Sequence, residues 1–398
     1  MKILLVPSGF KESLGAQQVA NCMKKGILNV LPHADIVSVP LVDGGEGFTE
    51  AMVKWTNGSL HDVVVTGPIN QKVAASIGFL GHSTERTAVI EMAAAAGLKL
   101  VPRAQRNPVK TTSFGVGELI KAALDMGAER ILLGCGDSGI NDGGIGMAEA
   151  LGVRFFDKNL LRIDAKKGAA VLKKISSIDI SARDERLGNI PIDVACNWHN
   201  VLCGSNGVAR VFGPQKGATE RQIFELESGL EHYAALIKEA VGCCVRKMPG
   251  GGASGGLGAG LHGLIGATLH SRYDVIMKYM DIDEYLQETD LVFTAEGSID
   301  FQTPRGKIPA EVASKAKAYG KPVIAIAGTI GKGASINYHH GIDVFTSILQ
   351  SPSSLEQAME KTEDWVMECT EASMRTVLVG LELAASVPFP FTNGGKVS

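Results

Sequence analysis

Short apolar runs that end in glycine-rich polar loops and lead into helices recur along this chain. Ile3–Val6 closes on Pro7 and the loop Ser8-Gly9-Phe10-Lys11. Between Gln17 and Val30, the apolar residues Val19, Met23, Ile27 and Val30 repeat at helical spacing. Ile36–Val42 reads as a second strand and Glu46–Trp55 as a second helix, with Asp43–Gly47 as the turn between them. Buried strands joined by crossover helices form a parallel sheet. Ligands of such sheets sit beyond the carboxyl ends of the strands, where both loops stand.

From His61 the pattern changes. His61–Thr66 and Lys72–Leu80, joined around Gly67-Pro68, read as antiparallel strands, and Thr87–Glu91 as a third. Further on, helix Gly115–Met126, strand Arg130–Gly134, helix Ile145–Leu151, strand Asp193–Asn197 and the long helix Thr219–Val241 continue an α/β texture. Leu291–Thr294, helix Ile308–Tyr319 and strand Pro322–Ala327 return to the pattern of the N-terminus. Residues 1–60 and 286–385 therefore read as one discontinuous domain, with 61–285 inserted, and 388–398 as a loose tail. A length of 398 residues suits two domains.

With 20% charged residues and a net charge of −3, the chain lacks the basic surface that nucleic acid or an anionic membrane would require. Seven cysteines without a C-x-x-C spacing form neither a disulfide framework nor a zinc site. The N-terminal apolar stretch is too short for a signal peptide, and no window is long and apolar enough to span a membrane. A reduced, cytoplasmic protein is the expectation.

Four segments set carboxylates among glycines: Asp43–Gly47, Asn141-Asp142-Gly143-Gly144, the run 249–260, and Ala295–Asp300. Glycine lets backbone approach a ligand, while carboxylates hold Mg²⁺ or take a proton. Together they point to a metal-bound phosphate. Glu296 and Asp300 lead into Arg305-Gly306-Lys307, combining acids for Mg²⁺ with cations for charge on transferring oxygens. Lys11 suits phosphate or carboxylate recognition. The glycines at 255 and 256 either open a helix that holds phosphate or serve close helix packing. No G-x-x-x-x-G-K-[ST] occurs. Lys216, in a Gly-Pro turn, reads equally as a surface lysine. Cys135, Cys196 and Cys203 read as packing residues, and His199 more readily as structural than catalytic.

Taken together, Pro7, Phe10-Lys11, Ser13-Leu14, Asp43–Gly47, Glu91–Ala95, Gly117–Ile120, Asn141–Gly144, Phe212–Gly217, Gly255-Gly256, Glu296-Gly297, Ile299-Asp300 and Gly306-Lys307 resemble the bacterial glycerate kinase family. The matches run in order through nearly the whole chain. The resemblance implies two α/β domains, a Rossmann-like parallel-sheet domain interrupted by a second mixed α/β domain, with the active site in the cleft. It also implies ATP and Mg²⁺, and phosphorylation of D-glycerate, with 2-phosphoglycerate the favoured product. Asp142, Lys11, Lys307 and Asp300 are then the catalytic candidates. Ser8, Asn141, Asn197, Gly255, Gly256 and Lys216 are candidates for substrate or phosphate contact, and Asp43, Glu46 and Glu296 for the metal. Three segments depart from the family pattern: Ser8-Gly9 replaces Asp-Ser, Asn197 replaces an aspartate, and Ser298 replaces an arginine. A related hydroxy acid or polyol as acceptor, or an inactive nucleotide-binding regulator, are the alternatives. Small molecules are the expected partners, with no nucleic acid or membrane, and a homodimer is compatible with the reading.

Overall fold

The computed structural model describes residues 1–10, 13–41, 44–81 and 83–386, so Lys11, Asp43 and the expected tail lie outside the described residues. The chain forms two compact units, one from residues 1–41 with 281 onward and the other from 42–280.

The first unit holds an all-parallel five-stranded sheet in the order Val344–Ser347, Val323–Ile330, Leu291–Ile299, Lys2–Pro7, Asp35–Ser38. Ile3, Leu5, Phe293 and Ile326 on the strands and Val19, Met23 and Ile27 on helix Ala16–Val30 are fully or nearly fully buried in one core. That helix packs on a second one, Thr362–Ser386, where Gly26 permits the close approach: a Cβ there would lie 2.3 Å from the Met367 carbonyl oxygen.

The second unit holds a six-stranded mixed sheet in the order Thr268–Ser271, Ile192–Cys196, Arg130–Gly134, Thr87–Glu91, Lys72–Phe79, Ser59–Thr66. The first four strands are parallel, and the last two join them as the antiparallel pair expected from the sequence. This is the α/β class expected, one parallel sheet and one mixed.

Both expected boundaries move. Helix Phe48–Trp55 buries Phe48, Met52 and Val53 against strands Lys72–Phe79 and Thr87–Glu91, so the change of unit comes at 41/42 rather than 60/61. Helix Ile282–Glu288 buries Ile282 and Leu286 and packs against Lys2–Pro7, which moves the return from 286 to 281. Apolar burial decides membership in each case. Among the described residues, no helix is long and apolar enough to cross a membrane.

Candidate active site

At the carboxyl rim of the first sheet, Lys2–Pro7 ends opposite Ala295, whereas its neighbour Leu291–Ile299 continues paired with Val323–Ile330 through Ser298–Thr329 and Ile299–Ile330. Ser8 turns there, its N–H and Oγ each donating to the Ala295 carbonyl at 2.9 Å. Its hydroxyl is thus committed inside the protein, and the residue is buried. Strand alternation puts Glu296 and Ser298 on one face, with Asp300 just past the strand end. Glu296 is partly exposed, and its Oε1 accepts from the Gly297 amide at 3.3 Å.

Asp300 and Lys307 form the clearest charged pair at this rim. Lys307 Nζ lies 3.2 Å from both carboxylate oxygens and donates to the Ser298 carbonyl at 3.0 Å. The Gln302 amide donates to Asp300 Oδ1 at 2.8 Å, and Asn337 Nδ2 holds the Asp300 carbonyl at 3.0 Å. Partial burial pulls the Asp300 carboxyl upward, but the Gln302 amide and the Lys307 ammonium outweigh it and leave the group below the ordinary aspartate value. Lys307 immediately precedes helix Ile308–Ala318. An accessible cation beside a helix N-terminus is suited to anionic oxygens.

At the carboxyl rim of the second sheet, segments 44–47, 135–144, 197–203 and 250–256 pack on one another. The Glu46 amide donates to Asp137 Oδ2 at 3.1 Å, the Gly143 amide to Gly255 O at 3.1 Å, and the Gly252 amide to Asn200 O at 3.0 Å. Ser254, Gly255 and Gly256 all adopt positive φ. A Cβ on Gly255 would come within 1.9 Å of the Ile140 carbonyl oxygen, and one on Gly256 within 2.9 Å of Gly143 Cα. Of the two sequence readings for this glycine pair, close packing accounts for the geometry.

Asp142 is fully buried. Its Oδ2 accepts from Ser113 N at 2.7 Å, Ser113 Oγ at 2.8 Å and Gly146 N at 3.4 Å, and its Oδ1 from Gly144 N at 3.0 Å. The two glycine amides belong to the turn that opens helix Ile145–Ala150. Burial pushes its carboxyl up, opposed by the amide and hydroxyl donors. In this structure the lone pairs of the carboxylate are taken up by these four donors and hold the turn.

Lys216 is no surface lysine. It is 2% exposed, and its Nζ donates to Ile140 O at 2.7 Å, Ser138 Oγ at 2.8 Å and Asn141 Oδ1 at 3.0 Å. Burial lowers its ammonium to about 7, partly offset by the charge of Asp142. All three of its N–H groups are engaged by oxygens of segment 138–141 in this structure. Asn197 also serves its own loop, its Oδ1 accepting from the His199 amide at 3.1 Å. Glu46 is ion-paired with Lys99.

Two residues that sequence patterning did not single out as functional hold these loops. Glu91, at the end of its strand, accepts from the Thr49 amide at 3.1 Å and so caps helix Phe48–Trp55; burial raises its carboxyl, opposed by the Thr49 and Gly47 amides. Ser113 joins Asp142 to Met147, whose amide donates to its Oγ at 2.9 Å. A serine directly before a helix is a legible capping signal, but its partner lies 29 residues away. Cys135, Cys196 and Cys203 are buried, and burial pushes the Cys196 and Cys203 thiols up to about 12, as befits packing residues. At the opposite end of the sheet, Asp193 meets Arg130 Nη1 at 2.8 Å, His270 Nε2 at 2.7 Å and Tyr279 OH at 2.8 Å, a network far along the strand from the ligand rim.

Among the described residues, no three His, Cys, Asp or Glu side chains gather into a metal cluster. Mg²⁺ on a nucleotide needs only one or two protein carboxylates, since phosphates and water supply the rest. Glu296, partly exposed beyond the end of its neighbouring strand, is a carboxylate that could meet that demand.

Residues 3–378 match the Glycerate kinase family. The chain is 44% identical over 384 residues to the Glycerate 2-kinase of Escherichia coli (strain K12), covering 96% of this chain and all of that protein. It is likewise 44% identical over 387 residues to the Glycerate kinase of Bacillus subtilis (strain 168), covering 97% and 99%. Among solved structures, the putative glycerate kinase 2 from Salmonella typhimurium LT2 is similar with a TM-score of 0.80 and 43% identity, over 96% of this chain and all of the other. With a fold, a rim chemistry and a match that all extend over nearly its full length, this chain belongs to the glycerate kinase family.

Proposed function

We propose that the protein transfers the γ-phosphoryl group of ATP to the hydroxyl of D-glycerate, with 2-phosphoglycerate as the favoured product. The observation that carries this reading is the accessible Glu296–Ser298–Asp300 strand end with Lys307 folded over it. Magnesium-bound ATP supplies an electrophilic phosphoryl group whose charge the metal partly neutralises. Glu296 would hold the metal. Lys307 takes up charge on the transferring oxygens, and Asp300 fixes its ammonium in place. Lys11 and Asp43 keep the roles read from the sequence, as phosphate or carboxylate contact and metal ligand. A loose transition state leaves the acceptor proton on its oxygen until late, so a sealed Asp142 is no obstacle.

Coupled ADP release from the purified protein, with and without D-glycerate, tests the reading. Glycerate-dependent turnover that requires Mg²⁺ is expected, and turnover no greater than background ATPase would end it. Phosphorus NMR of the product then separates the 2-phosphate from the 3-phosphate. Asn197 and Ser298 are short and neutral where the family pattern has an acid and an arginine, which favours, as a second reading, a related C3–C5 hydroxy acid or polyol as acceptor. A substrate panel separates the two. Nucleotide binding without turnover on any acceptor would instead identify a regulator.

A further inference from the structure

Asn141 is fully buried, and the two ends of its amide fare differently. Oδ1 accepts from Lys216 Nζ at 3.0 Å, while Nδ2 has no hydrogen-bond partner among the described residues. The orientation is forced: an ammonium carries only donors, so only the carbonyl end of the amide can face it. Lys216 is in turn held by Ser138 Oγ and Ile140 O, so its three N–H groups meet three oxygens of the same loop. The next residue, Asp142, is tied to Ser113, and the backbone of Gly255 leaves no room for a Cβ beside the Ile140 carbonyl. In this arrangement the Nδ2 group is an unmet donor beyond the carboxyl end of strand Arg130–Gly134. A buried donor without an acceptor is costly enough that an apolar residue would be preferred unless an oxygen arrives.

We propose that Asn141 Nδ2 donates to an oxygen of the bound acceptor substrate, and that Lys216 is the positioning residue that turns it there. This rests on the phosphotransferase reading and assigns its acceptor subsite. A neutral donor suits the hydroxyl or carboxylate oxygen of a small hydroxy acid. It also explains why a lysine with no free N–H is present: it acts through Asn141 and touches no phosphate. A trapped water would satisfy the same donor, and the two sources separate by measurement.

Asn141→Asp keeps an oxygen against Lys216 and replaces the donor with an acceptor. In the full-length protein it should raise KM for D-glycerate about 10–100-fold while KM for ATP stays within about twofold. The rise in melting temperature that D-glycerate causes in the wild type should disappear. A glycerate KM and thermal shift within about twofold of wild type would overturn the proposal, and a lower melting temperature with unchanged KM would mark the water instead. Lys216→Met frees the amide and should raise KM for glycerate by a similar factor. Combined with Asn141→Asp it should add nothing further. Losses that multiply would show that Lys216 does not act through Asn141. If Lys216→Met fails to fold, Asn141→Asp alone decides. Glycerate-dependent stabilisation without wild-type turnover would remove the phosphotransferase reading and leave this subsite standing, whereas absence of both would remove each.

Discussion

The rims of the two sheets each combine an aspartate with a lysine, and the two combinations do opposite work. Asp300 and Lys307 keep 20% and 28% of their side-chain surface in water and pair directly. Asp142 and Lys216 are 0% and 2% exposed, and each is hydrogen-bonded to neutral partners, most of them on other segments of the chain. An accessible charge can be re-partnered by a ligand at little cost, because water already screens it. A sealed charge has exchanged its hydration for fixed hydrogen bonds, so removing it leaves those partners orphaned. The first pair is thus suited to chemistry and the second to placing other groups.

The sharpest way to break this comparison is Asp142→Ala. Four donors would lose their acceptor, and we expect a loss of about 3–5 kcal/mol in chemical denaturation. A variant that stays fully stable yet loses all turnover would return Asp142 to the chemistry. Lys307→Met should show the reverse pattern, with kcat/KM down roughly 100- to 1000-fold and stability changed by less than about 1 kcal/mol. Unfolding without a specific kinetic defect would make the two rims alike. Gly255→Ala tests the packing between the glycine turn and Ile140. Its positive φ of 73° and the 1.9 Å approach predict a cost of about 2 kcal/mol or more, measured by urea midpoint. A neutral result would mean that the turn yields easily.

The smallest effect concerns acid. Because the Asp300 carboxyl is lowered in the folded protein, its contribution is fully present above the unfolded value near pH 4 and is lost as pH falls through the folded value. Thermal melts of Asp300→Asn should therefore differ from wild type at neutral pH and converge with it in strong acid. A difference that grows toward low pH would reverse the sign.

Much of the fold was legible because it is written locally. Ile3–Val6 and Val19, Met23, Ile27 sit in the core as their spacing requires, and Thr219 with Gln222 caps the long helix that follows. Less legible was helix Thr362–Ser386, whose mixture of Thr, Val, Cys and Ser blurs the helical period until the distant helix Ala16–Val30 supplies its partner. At the candidate site, Glu296, Asp300 and Lys307 lie within twelve residues of each other, and their association could be read directly from the chain.

By itself the amino-acid sequence determined the α/β class, the family, and the chemical character of the rim loops, since periodicity, glycine placement and motif order are properties of neighbouring residues. Tertiary structure alone decided which charges face water. Lys216 meets its acceptors across 75 to 78 residues and Asp142 its serine across 29, distances over which no local pattern signals burial. A lysine in a Gly-Pro turn becomes a buried pin only when another loop brings three oxygens to it.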